Sequence, residues 1–137
     1  MNSTSWKPNG YSSVSPYLVV PDADAVIEFL VATLGAHPLR RYENPDGSVL
    51  HAEVRIDDTV VMMGQSGDGW EPRPCHVHLY VPDVDEAFAR ALANGGEPVA
   101  EPTHETGDPD RRGGVKGPGG TTWWFSTQVL DAPRHSV

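Results

Sequence analysis

Two stretches of the chain carry apolar residues at helical spacing. Ala25, Val26, Phe29, Leu30 and Leu34 recur every three to four positions, as one buried helix face requires, and Ala87, Phe88, Ala91 and Leu92 do the same. Each stretch is introduced by the same phrase, Val20-Pro21-Asp22-Ala23-Asp24 and Val81-Pro82-Asp83-Val84-Asp85. Proline is tolerated at a strand end, and the aspartate beside it offers an N-cap oxygen to the helix that follows. The two aspartates lie 61 positions apart; at that offset Ile27 maps onto Phe88 and Gly35 onto Gly96, where left-handed C-caps are expected. The chain therefore reads as two copies of one unit.

Strand-like segments follow each helix. After the first come His37–Glu43, Val49–Ile56 and Thr59–Gly64, separated by turns at Asn44-Pro45-Asp46-Gly47 and Asp57-Asp58. After the second come Glu97–Thr103, Gly113–Lys116 and Thr121–Thr127, with Gly117-Pro118-Gly119-Gly120 as the last turn. With the strand that precedes each helix, both units read βαβββ. The expected fold class is α+β: two βαβββ modules forming a curved, partly open mixed sheet with helices on the outside. The expected boundaries are an N-terminal extension 1–12, module one 13–64, a Gly/Pro-rich linker 65–74, module two 75–130 and a tail 131–137. The extension and the tail read as loose ends. Residues 103–112 read as a lid or a long surface loop.

Alternation along the strands separates two faces. Leu50, Ala52, Val54 and Ile56 oppose His51, Glu53 and Arg55; Cys75, Val77, Leu79 and Val81 oppose His76, His78 and Tyr80. The apolar sets are expected under the helices, and the polar sets on a solvated face or in a cleft. Tyr17 and Trp124 join the polar faces by the same alternation, and Trp70 sits in the linker as a candidate flap. His51 beside Glu53 is a candidate general base oriented by a carboxylate. The structural reading, the commoner one for such arrangements, pairs Glu53 with Arg55 or Arg41. Tyr17, Arg55, Trp70, His76, His78, Tyr80 and Trp124 are the candidate ligand contacts; an aromatic box with Glu53 suits a planar or cationic organic molecule.

Composition changes this picture in three ways. The chain has 137 residues, with 14 glycines and 13 prolines, about a fifth of the total against a usual ~12%. That excess excludes a plain helical bundle. Its net charge of −9 argues against nucleic acid or an anionic membrane as partner and leaves a small molecule. The single cysteine, Cys75, excludes an internal disulfide, and no apolar run is long enough to span a membrane, so the expectation is a cytoplasmic protein.

Several motifs, in order, resemble the vicinal oxygen chelate superfamily: glyoxalase I, bleomycin-resistance proteins and extradiol dioxygenases. They are Lys7-Pro8-Asn9-Gly10-Tyr11, Pro16-Tyr17-Leu18-Val19-Val20, Phe29 with Leu34-Gly35-Ala36, Pro45 through Glu53, Asp83-Val84-Asp85, and Gly113 through Gly120 with Trp123-Trp124. Within it the chain looks most like the PhnB-like branch. The resemblance spans nearly the whole chain and implies paired βαβββ modules, a homodimer and ligand cavities bounded by the curved sheets.

Metal-dependent members place four ligands on the concave sheet, and the resemblance assigns those positions to Ser15, His76, Trp124 and its repeat mate, Met63. Of the four only His76 is a common ligand; serine, methionine and tryptophan are unsuited to a hard divalent ion. The expected function is therefore a metal-independent small-molecule-binding protein with no cofactor. The alternative is an isomerase or lyase that works through His51 and Glu53, or through a non-standard metal held by His51, His76 and His78.

Overall fold

The computed structural model describes residues 5–131. Module one runs β1 (Tyr17–Val20), α1 (Ala23–Leu34), β2 (His37–Glu43), β3 (Val49–Ile56) and β4 (Thr59–Gln65). Module two runs β5 (His76–Tyr80), α2 (Val84–Ala93), β6 (Glu97–His104), β7 (Asp110–Lys116) and β8 (Thr122–Gln128). The fold is α+β, with two mixed four-stranded sheets ordered β1-β4-β3-β2 and β5-β8-β7-β6. In each, the first strand lies parallel to the last and the other pairings are antiparallel. The sheets are open, and no strand pair joins them among the described residues.

The repeated Val-Pro-Asp phrase acts as its chemistry predicts. Asp22 accepts from the Ala25 amide and Asp83 from the Glu86 amide, each at 3.1 Å. These bonds satisfy N–H groups that a helix start leaves without partners. Gly35 ends α1 in the left-handed region, as expected. In module two that conformation falls on Gly95 instead of Gly96. Gly96 is needed for space: a Cβ there would stand 2.4 Å from Val115 Cγ1.

One apolar core serves both modules. Val26, Phe29 and Leu30 of α1 and Val84, Ala87 and Ala91 of α2 cluster with Leu18, Val20, Val54, Met63, Trp123 and Phe125. Leu92, expected on the buried face of α2, is exposed instead. The helices meet directly, and Arg90 donates to the Thr33 carbonyl at 3.0 Å. A 3-10 turn at Pro118–Gly120 carries module two onto module one against Val20 and Val26. Each fully buried large apolar side chain contributes about 1.5–3 kcal/mol. One face of each sheet is thus consumed by the core, and the other is left for the polar and aromatic residues.

Two expectations need correction. Leu50, assigned to the apolar face, is 57% exposed, while Val49 is fully buried. The cause is a register shift: Tyr42 pairs with His51, but Glu43 pairs with Val49, so Leu50 bulges out of the ladder. The expected loop at 103–112 is much shorter, because β7 begins at Asp110. Its tip is tied by the Asp108 amide donating to Glu105 O and by His104 against Asp108 O at 2.7 Å, so it forms a compact turn and not a lid. Among the described residues no helix is long and apolar enough to cross a membrane.

The bulge makes neighbouring substitutions unequal. Val49→Ala is expected to cost about 2 kcal/mol and Leu50→Ala under about 0.5 kcal/mol. Urea unfolding of the two variants checks this; equal losses would contradict the bulge.

Candidate functional site

β3 turns His51, Glu53 and Arg55 away from the core, and β1 adds Tyr17 beside them. Glu53 is the centre of this face, only 4% exposed although it is a carboxylate. Both its oxygens are engaged. Tyr11 Oη donates to Oε1 at 2.5 Å, and His51 Nε2 bonds Oε2 at 2.8 Å. On its other side His51 Nδ1 faces the Tyr17 hydroxyl at 3.1 Å. Burial pushes Glu53 upward, but the bonds from His51 and Tyr11, with Coulomb attraction from His51 and Arg40, outweigh it. The carboxyl is therefore held below its usual range. Burial, then the Glu53 contact, raises the phenol of Tyr11; burial, then the Glu53 charge, raises that of Tyr17. Both stay protonated donors at neutral pH.

Tyr11 reaches Glu53 because the segment before β1 lies across the sheet. Its residues, expected as part of a loose extension, are tied down: Arg55 donates to Gly10 O at 3.0 Å, and the Val60 amide to Ser12 Oγ at 3.4 Å. Arg55, expected as a ligand contact, thus anchors this segment. The Arg40 guanidinium sits 5.2 Å from the Tyr11 ring centre.

A row of rings runs across the same face. Tyr42 lies 5.9 Å from His51, His51 5.6 Å from Tyr17, and Tyr17 6.1 Å from Trp70, edge to face. Trp70 is carried by a tight turn in which Gly67 and Trp70 exchange backbone hydrogen bonds at 2.9 and 3.0 Å. Ser66 N to Val20 O continues the β1–β4 ladder into that turn, and Arg73 N to Val19 O holds the linker to the free edge of β1. The Tyr17 and Trp70 rings fit because residue 64 is glycine: a Cβ there would lie 2.9 Å from Tyr17 Oη and 3.2 Å from Trp70 Nε1.

The second sheet carries a matching face. Trp124 Nε1 donates to His76 Nδ1 at 3.0 Å, and the two rings stack 6.2 Å apart at 18°. Trp124 lies flat over Gly114, where a Cβ would be 2.6 Å from the ring. His78 bonds Ser126 Oγ at 2.8 Å, and Tyr80 donates to the buried Asp110 at 2.8 Å. That bond, ahead of burial and the Asp110 charge, raises the Tyr80 phenol.

The pairing also decides which residues occupy the family's metal positions. Tyr17 pairs with Met62 in the first sheet, and His78 pairs with Trp124 in the second. Met62, opposite Glu53, is therefore the mate of Trp124. Met63, assigned by counting the repeat offset, is fully buried in the core. Neither methionine sulfur nor an indole ring suits a hard divalent ion. Ser15 lies 3.3 Å from Ser12 Oγ, and His76 has one ring nitrogen already bonded to Trp124. The residues present do not fit the family's metal. The non-standard set of His51, His76 and His78 is not brought together either. Among the described residues no three His, Cys, Asp or Glu side chains are grouped to hold a metal ion.

Sequence reasoning missed Tyr11, Tyr42, Met62 and Asp110. Tyr42 was within reach: counting outward from the Asp46-Gly47 turn sets it opposite His51. Tyr11 carried no such signal, because its contact spans 42 positions and no ladder.

Comparison with known proteins gives one consistent result. A family model described as the Glyoxalase/Bleomycin resistance protein/Dioxygenase superfamily matches residues 12–125. An uncharacterized protein of Mycobacterium tuberculosis (strain ATCC 25618 / H37Rv) is 37% identical over 136 residues, 91% of this chain and 79% of that one. Among solved structures, TioX from Micromonospora sp. ML1 aligns with a TM-score of 0.73 and 25% identity over 86% of this chain and 99% of that one. TnmS3, an antibiotic binding protein from Streptomyces sp. CB03234, shares the fold, with a TM-score of 0.65 and 19% identity over 86% and 99% of the two chains.

The buried carboxylate makes stability depend on pH. The folded protein holds Glu53 below its ordinary value of 4.5. Its contribution is therefore complete above that pH and fades as pH falls through the lower folded-state value. Glu53→Gln is expected to lose about 1–3 kcal/mol at pH 7. The gap from wild type should shrink towards pH 3 in urea-unfolding measurements.

Proposed function

The chain belongs to the glyoxalase/bleomycin resistance protein/dioxygenase superfamily, and from that premise we propose that it is a metal-independent small-molecule-binding protein. The observation that carries this reading is the indole of Trp124 bonded to His76, with Met62 at the equivalent register position of the other sheet. Positions that would hold an ion instead present flat or soft apolar groups, which suit the face of a planar organic ligand. Tyr17, Trp70, His76, His78, Tyr80 and Trp124 are the proposed contacts, joined by Tyr42. Arg55 is proposed to act indirectly, by holding the segment that carries Tyr11. The antibiotic binding described for TnmS3 is in keeping with this use of the fold, and an antibiotic-like or metabolic molecule is the proposed class. The PhnB-like branch is proposed from the motif order, and a cytoplasmic site of action from the lone cysteine.

A homodimer is part of the proposal. Tyr17, Tyr42, Trp70 and Tyr80 are between 45% and 63% exposed in a single chain. Neither open sheet can enclose a ligand alone, so a second copy is proposed to cover them.

A second reading is favoured by one geometry. The Tyr11–Glu53–His51 arrangement is that of an imidazole oriented by a buried carboxylate, which suits acid–base catalysis by an isomerase or lyase.

Three results separate these readings. Light scattering on purified protein at micromolar concentration should give twice the chain mass; a monomer would overturn the dimer. The hemithioacetal of methylglyoxal and glutathione should not turn over, with or without added Ni²⁺, and clear turnover would overturn the binding reading. Metal analysis of protein purified without chelators should find no stoichiometric transition metal. A metal that is lost in His76→Ala would contradict metal independence.

A further inference from the structure

Glu53, His51 and Tyr17 form a directed chain that binding alone does not require. Glu53 is ionised, so it accepts from both partners, and His51 Nε2 must carry a proton. In the neutral ring Nδ1 is then the acceptor, and the hydrogen between it and Tyr17, 3.1 Å away, belongs to the tyrosine. Tyr17 is the most exposed member of this line. Glu53 is 4% exposed and the His51 side chain 22%, whereas Tyr17 is 45% exposed and flanked by Trp70. Gly64 leaves room for the hydroxyl, since a Cβ there would crowd Tyr17 Oη at 2.9 Å.

We infer that Glu53, His51 and Tyr17 are a proton relay that takes the proton from a ligand's acidic phenol or enol hydroxyl and holds the ligand as its anion. This rests on the reading of the module-one face as a ligand site and names the ligand class for it. The transfer balances. The ligand O–H bond breaks and its proton joins Tyr17 Oη, while the Tyr17 proton passes to His51 Nδ1. The products are a ligand oxyanion accepting from the re-formed Tyr17 O–H and an imidazolium paired with the Glu53 carboxylate. No electrons are exchanged and no co-reactant is needed.

The surroundings support this direction. The charged and titratable groups facing the relay are Tyr11 from the segment before β1, Arg40 and Tyr42 from β2, and Arg55 from β3. Arg40 and Arg55 are cations, which favour an anionic ligand. Tyr11 keeps the second Glu53 oxygen occupied, so the carboxylate is free to stabilise only the imidazolium. Burial and the Glu53 charge raise the Tyr17 phenol, so the resting residue keeps the proton it relays. His51 and Glu53 are thus positioning groups behind Tyr17, which is the one that touches the ligand.

The test compares 4-nitrophenol with nitrobenzene, a similar ring without the hydroxyl, at millimolar concentration on the intact protein. Binding is read from amide shifts in β1 and β3 by NMR, and ionisation from the visible absorbance of the nitrophenolate as pH is varied. Wild type should bind both. Bound 4-nitrophenol should ionise with a constant about tenfold larger than in water, one pKa unit. Tyr17→Phe should return the ionisation of bound 4-nitrophenol to its value in water, whatever its effect on affinity. His51→Gln should do the same. If wild type binds both rings with no shift, or Tyr17→Phe keeps the shift, the relay is wrong and the ligand face stands. If neither ring perturbs β1 or β3, the ligand-face reading fails and the relay falls with it.

Discussion

A charged carboxylate taken out of water is the constraint around which module one is arranged. Left unpaired, Glu53 would cost several kcal/mol. It is kept charged by donors drawn from two distant parts of the chain, the Tyr11 phenol and the His51 imidazole. Much else is fixed as a result. The segment before β1 must cross the sheet, Arg55 must hold that crossing at Gly10, and His51 must present its free nitrogen to Tyr17. Two rings of the aromatic row from Tyr42 to Trp70, those of His51 and Tyr17, are ordered by the same bonds. The proposed binding face is thus ordered by satisfying one buried charge.

Module two solves the same problem with different residues. Its sheet repeats the strand order of module one, and its outer face again sets a tyrosine donor on an acid, Tyr80 on the buried Asp110. The pair Trp124–His76 fills the part of the face where the family's metal-dependent members carry ligands. A stacked indole and imidazole seated on Gly114 offer area and one free ring nitrogen, which is a surface for a flat molecule. The two modules give two equivalent platforms, and on each a residue unsuited to a hard ion, Met62 or Trp124, stands at the matching position of the last strand.

The architecture was legible because it rests on local chemistry. Val-Pro-Asp before each helix, the helical spacing of Val26, Phe29 and Leu30, and the alternation around His51 and Glu53 each have a short-range cause, and the structure follows them. Failures began where a cause was non-local. Leu50 left the apolar face because a bulge shifted one pairing, which alternation cannot see. Gly96 and Met63 were misplaced by one position because the repeat is not rigid: the helices keep an offset of 61, but Met62 matches Trp124. In the site, His51 beside Glu53 is visible as a neighbour pair on one strand face. Tyr11 is not, since only the folded chain brings it across 42 positions.

The claim beneath all of this is that hydrogen-bond donors outweigh burial at Glu53. The most direct measurement is a ¹³C NMR titration of the Glu53 carboxyl carbon in the folded protein. A midpoint below the ordinary value of 4.5 is the predicted result. A midpoint above it would mean that burial wins, that the carboxyl is neutral in the folded state near that pH, and that the network built on its charge is not the one described.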